Sequence, residues 1–133
     1  MGTPLQHEEK AKHHQQFLQS IPDDYPDWLS IVAFYVAVEL LEMMLADEHD
    51  YHSKCHEDRN QTIYGQYRSI SASFKALYNA SLDARYQPKD HALSAEEVRR
   101  ELIDKRLGQI RSFVESRRKK KGASKEPVGK QKP

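Results

Sequence analysis

The chain has 133 residues with a single cysteine, and 21 Lys+Arg against 20 Asp+Glu leave a formal net charge of +1 at pH 7. This length fits one domain around one core, and one cysteine excludes a disulfide framework or a multi-cysteine zinc module, so a reducing, cytoplasmic setting is expected. The near-zero charge hides a division: residues 116–133 carry eight basic side chains against one acid, a net of +7, and residues 1–115 carry −6.

Polar periodicity from about Gln6 to Ser20 predicts a first helix with thin apolar content: Ala11, Phe17 and Leu18, with Ile21 just beyond. The turn IPDDYPD ends it, and Asp27 is expected to N-cap a second helix from Trp28 to about Ala46. That helix is apolar nearly all round, which marks the centre of a bundle. Its apolar run is broken by Glu39 and Glu42 short of the ~20 residues of a bilayer span, so no membrane segment is expected. The amino-terminal residues predict neither a secretory signal nor a myristoylation site. Ser53 can cap a third helix reaching about Tyr67, and after a weak break at 68–71 a fourth ends near Tyr86. The last helix opens on a capping box, Ser94 to Glu97, and carries the stripe Val98, Leu102, Ile103, Leu107, Ile110 and Val114. Residues 116–133 have too little apolar content to offset chain entropy, and the expectation is a disordered basic tail behind a bundle spanning 1–115. The expected fold is all-α: an up-and-down bundle of four to five helices.

Several polar residues are candidates for chemistry. Glu39 shares a wheel face with Trp28, Val32, Tyr35 and Met43 in a helix with almost no polar side. Either Glu39 and Glu42 mark a narrow solvent stripe, or Glu39 is buried and orients an arginine or histidine from the third or fourth helix. His56 and Arg59 are three apart and share a helical face. Imidazole beside guanidinium is what metal-independent RNA cleavage needs: a proton-transfer group titrating near neutrality and a fixed cation for charge growing on phosphorus. The same residues also fit a solvated helix surface. Arg85 can compensate the dipole of the fourth helix, and with His91 it matches an Arg-to-His spacing found in one class of ribonucleases. His49, His52 and His56 beside Cys55 lack the partners of a zinc motif, so neither a metal nor a cofactor is expected.

The succession FYVAVELLEMMLA, then HEDRN, then LYNASLDARY resembles the HEPN-like superfamily, closest to its small stand-alone bacterial members, over roughly residues 17–86. The resemblance implies a helical bundle, often a homodimer, with a polar groove between the middle helices. Many members are ribonucleases of toxin and defence systems, whereas others bind nucleotides or act as partners of nucleotidyltransferases. Carried over by position, His56 would transfer protons, Arg59 would clamp phosphate and Asn60 would hydrogen-bond phosphate or ribose. Glu39 and Arg85 would orient the pair, and Tyr86 completes the matching motif. Glu39 stands where that group often has a histidine, and the Arg85-to-His91 spacing crosses Pro88.

Two functions are expected from different classes. One is metal-independent RNA cleavage, or RNA or nucleotide binding. The other is a non-catalytic helical module that uses the same polar residues as a buried network and partners itself, a nucleotidyltransferase or an antitoxin. The basic run Arg117, Arg118, Lys119, Lys120 and Lys121 serves either as a solubilising end or as an electrostatic attachment to nucleic acid.

Overall fold

The computed structural model describes residues 3–49, 56–88 and 93–125, apart from the side chains of residues 49, 56 and 119–125. These residues form five helices and no strand, as an all-α bundle requires. α1 (Pro4–Ser20) starts two residues before the periodicity suggested, because Thr3 and Gln6 form a reciprocal capping box. The Thr3 hydroxyl accepts from the Gln6 amide at 3.1 Å, the Gln6 side chain accepts from the Thr3 amide at 2.9 Å, and Pro4 follows the cap. α2 (Pro26–His49) also outruns its expected bounds. It begins at Pro26, which is preset for a first helical turn, so Asp27 lies inside that turn rather than capping it.

α3 (His56–Gln66) and α4 (Arg68–Tyr86) are separated by Tyr67 alone, whose φ and ψ of −126° and 62° break the helix just before the expected weak point at 68–71, which is itself helical. The expected Ser53 cap lies outside the described residues. The last helix, α5, opens at Ala95–Glu97 on the expected Ser94 capping box and passes through a π-helical stretch, Val98–Leu107. It then continues as α-helix over Gly108–Lys125. The sequence stripe explains the wider turn. Leu102 and Leu107 are five apart, which on an α-helix would turn them about 140° from each other. Bonds to the fifth preceding residue, such as Gly108 N–H to Ile103 O, add a residue to the turn and keep Leu102 and Leu107 both buried.

α2 is the central element, packed against α1, α4 and α5. Phe34 sits fully buried in its first half, with ring centroids 5.7 Å from Phe74 and 5.5 Å from Tyr78. By length and composition Pro26–Glu48 is apolar enough to cross a membrane, contrary to the sequence argument, but 94% of its apolar 18-residue window is buried inside the bundle. Its apolar surface is therefore already covered by neighbouring helices.

The expected tail boundary at Ser116 falls inside α5, which runs on to Lys125. Composition alone missed the reason, which is electrostatic. Arg117 grips Glu48 at the end of α2 with Nε at 2.9 Å and Nη2 at 2.6 Å, and Arg118 Nη1 donates to Glu8 Oε2 of α1 at 3.0 Å. The acidic body holds the first basic residues of the tail in register with the helix.

Candidate functional site

Glu39 and Glu42 are three residues apart on α2, and both are buried, at 7% and 6% exposure, so neither marks a solvent stripe. A buried carboxylate needs a cation or several hydrogen bonds. Each has one, from a different neighbour. Glu42 Oε2 accepts from Arg59 Nε of α3 at 2.7 Å, in a pair whose side chains are only 7% and 12% exposed. Glu39 faces the opposite neighbour: its Oε1 lies 2.7 Å from Nδ1 of His7, and its Oε2 lies 3.7 Å from Nζ of Lys10. His7, Lys10 and His14 fall at i, i+3 and i+7, so one face of α1 presents all three to α2.

The geometry thus corrects the expected pairing. The arginine of α3 belongs to Glu42, and Glu39 is held by α1, a helix the sequence reading left without chemistry. The polar stripe of α1 that answers Glu39 could have been found from the heptad spacing of His7 and His14. Burial of His14 against Tyr35, with ring centroids 6.2 Å apart, holds its imidazole below the usual histidine range, an effect that the Glu39 charge opposes.

Asn60 follows Arg59 on α3, and its Oδ1 is a buried acceptor with no hydrogen-bond partner among the described residues. The His56 position opens α3, and its side chain lies outside the described set, as do His52, Cys55 and His91. Among the described residues no group of three or more His, Cys, Asp or Glu side chains could hold a metal.

Arg85 and Tyr86 do not join this cluster. Arg85 folds back on its own helix, donating from Nε to Ser81 O at 3.2 Å, and its guanidinium lies 5.5 Å from the Tyr86 ring centroid. Its neighbour Ala84 lines a concavity with Pro26 and Asp27, at the start of α2. Glu42 is fifteen residues further along that helix than Asp27, about 22 Å away at 1.5 Å per residue. Arg85 lies in the last turn of α4, where its charge compensates the helix dipole, the plainer of its two expected roles.

Of the basic run, Arg117 and Arg118 are occupied by Glu48 and Glu8, while the side chains of Lys119, Lys120 and Lys121 lie outside the described residues. Arg117 is clamped further by rings: its guanidinium carbon is 5.5 Å from the centroids of both Tyr67 and Phe113. Tyr67 shares the same carboxylate, donating its hydroxyl to Glu48 Oε1 at 3.3 Å. Burial, reinforced by the Glu48 charge, pushes the Tyr67 phenol up to about 12. No family model, curated protein or solved structure matches the chain.

Proposed function

We propose that this chain is a HEPN-like helical domain that works as a non-catalytic interaction module, partnering a second copy of itself or another protein such as a nucleotidyltransferase or an antitoxin. The observation that carries this reading is the engagement of Arg59 with buried Glu42. A phosphate clamp needs a cation aimed into an open groove, where it can meet charge that develops on a substrate. Here the guanidinium spends its charge on a carboxylate of its own fold. Glu39, likewise, is neutralised from α1 rather than left to orient the α3 pair.

The test is direct. Purified protein incubated with RNA and EDTA should leave the RNA intact, and Arg59→Ala should lower stability instead of removing an activity. Cleavage that yields a 2′,3′-cyclic phosphate and disappears in both His56→Ala and Arg59→Ala would overturn the reading.

One observation favours the second reading, an RNA-cleaving or nucleotide-binding site built from His56, Arg59 and Asn60. A buried acceptor without a donor costs about 1–3 kcal/mol, and Asn60 Oδ1 is such an acceptor. A ribose hydroxyl is a donor that would satisfy it. In that case Asn60→Leu would weaken nucleotide binding while raising the melting temperature. Electrostatic attachment through Lys119, Lys120 and Lys121 belongs to the same reading and predicts binding that weakens steeply with salt.

A further inference from the structure

At the turn between α1 and α2, far along the hairpin from the buried carboxylates, three large aromatic side chains lie open. Phe17, Tyr25 and Trp28 are 50%, 53% and 50% exposed. With Ser20, Ile21 and Pro22 they line an apolar concavity of about 300 Å³, floored by buried Ile21. Each ring could have been covered by the bundle, as Phe34 and Phe74 are, and a cluster of exposed apolar rings marks an interaction surface. The turn beside it is acidic: Asp23 and Asp24 are exposed between the lining residues Pro22 and Tyr25, Asp23 bridged by Arg99 at 2.8 Å and Asp24 making no ion pair among the described residues.

An aromatic slot beside an acidic turn suits an extended, proline-bearing basic segment, whose ring and aliphatic groups stack on the aromatics while lysine stems lie across them toward the acids. The chain carries such a segment. Residues 125–133 read KEPVGKQKP, with Pro127 and Val128 flanked by Lys125, Lys130 and Lys132. The same copy cannot bring Pro127 and Val128 to it. α5 runs antiparallel to α1, since Arg111 meets Gln15 and Arg118 meets Glu8. Lys125 is therefore about 10 Å beyond Arg118 in one direction, while Phe17 is about 14 Å from Glu8 in the other. Two further residues reach Pro127, an extension of only about 7 Å. Face-to-face pairing of two such concavities would also bring two acidic turns together, which like charges oppose.

We propose that residues 125–133 of a second copy dock in the concavity of Phe17, Tyr25 and Trp28, so that copies associate through their basic segments in trans. This rests on the interaction-module reading and names its partner. Trp28 is the only tryptophan of the chain, so its emission reports occupancy of the slot without a label.

The experiment follows Trp28 emission and sedimentation of the full chain over a range of concentrations. Association with a blue shift in emission is expected, both weakening several-fold as salt is raised. The full-length double variant Pro127→Ser, Val128→Ser should stay monomeric with unshifted emission and an unchanged far-UV spectrum, and Asp24→Lys should weaken association several-fold. A synthetic peptide of residues 119–133 added to dilute protein should reproduce the blue shift. Monomers with concentration-independent emission overturn the proposal, and so does association that survives the double variant or a peptide that leaves Trp28 unmoved. Failure here is separable from failure of the parent reading, which only RNA cleavage dependent on His56 and Arg59 removes.

Discussion

Arg59→Ala is the most informative single change. It leaves Glu42 in a site where the carboxylate is 7% exposed, without the guanidinium whose Nε stands 2.7 Å from Oε2. Breaking a buried pair from one side typically costs about 3–5 kcal/mol, because the remaining charge stays desolvated. The Arg59 side chain is itself only 12% exposed, so the truncation also removes packing, and the upper half of that range is expected. For a domain of this size 1 kcal/mol moves the midpoint by roughly 3–5 °C, so a melting temperature about 12–25 °C lower is expected. Thermal or urea unfolding followed by far-UV circular dichroism measures it. The double variant Glu42→Leu, Arg59→Met removes both charges and fills similar volume, and it should recover most of the loss. An Arg59→Ala midpoint within 2–3 °C of the parent, about 1 kcal/mol or less, would refute the buried-pair reasoning. An equally large loss in the double variant would place the effect in packing rather than charge.

Further outcomes follow from the same geometry. The lowered His14 imidazole means that the unfolded chain takes up a proton that the folded chain resists, so this residue's contribution to stability falls as pH drops below about 6.5. His14→Phe should flatten that part of a stability-against-pH curve between pH 7 and 5. Tyr67 behaves in the opposite sense: with its phenol raised from 10.0 to about 12, the folded state holds a proton that the unfolded state releases. Its contribution is complete below pH 10 and lost as pH rises toward 12, and absorbance titration should show one late tyrosine that Tyr67→Phe removes. Ser94→Ala deletes the cap of α5 and should cost about 1 kcal/mol in urea unfolding. Arg117→Ala should cost about as much, since the pair with Glu48 is partly exposed, and it should speed amide exchange over residues 114–118.

The central helix was legible because a segment apolar on every side has only one place in a bundle, and the α3–α4 break and the Ser94 cap were legible because each depends on a few adjacent residues. The pairing of Glu39 and Glu42 was not. Two carboxylates 60° apart on a helix wheel announce that they need partners, but which neighbour lies on which side is a property of helix packing, not of local sequence. The same limit hid the extension of α5. Arg117 and Arg118 look like the start of a basic tail in composition, and only the positions of Glu48 and Glu8 in space make them part of the fold. The π-helical stretch left a trace, the five-residue step from Leu102 to Leu107, which a fixed 100° wheel absorbs without notice.

Glu39 and Glu42 also answer a problem that α2 creates for itself. A helix lined with interchangeable Leu, Val, Met and Ala side chains offers its neighbours nearly the same surface after sliding one turn, about 5.4 Å, or after turning about its axis. Apolar contact alone would leave several such alignments close in energy. Each displaced alignment strands a desolvated carboxylate away from His7 or Arg59, and one slip fails against α1 and α3 at once. The two acids thereby act as an index mark on an otherwise featureless rod, selecting one alignment out of many. Replacing both with leucine is expected to yield a bundle that melts higher but broadens its amide resonances as alternative alignments become populated.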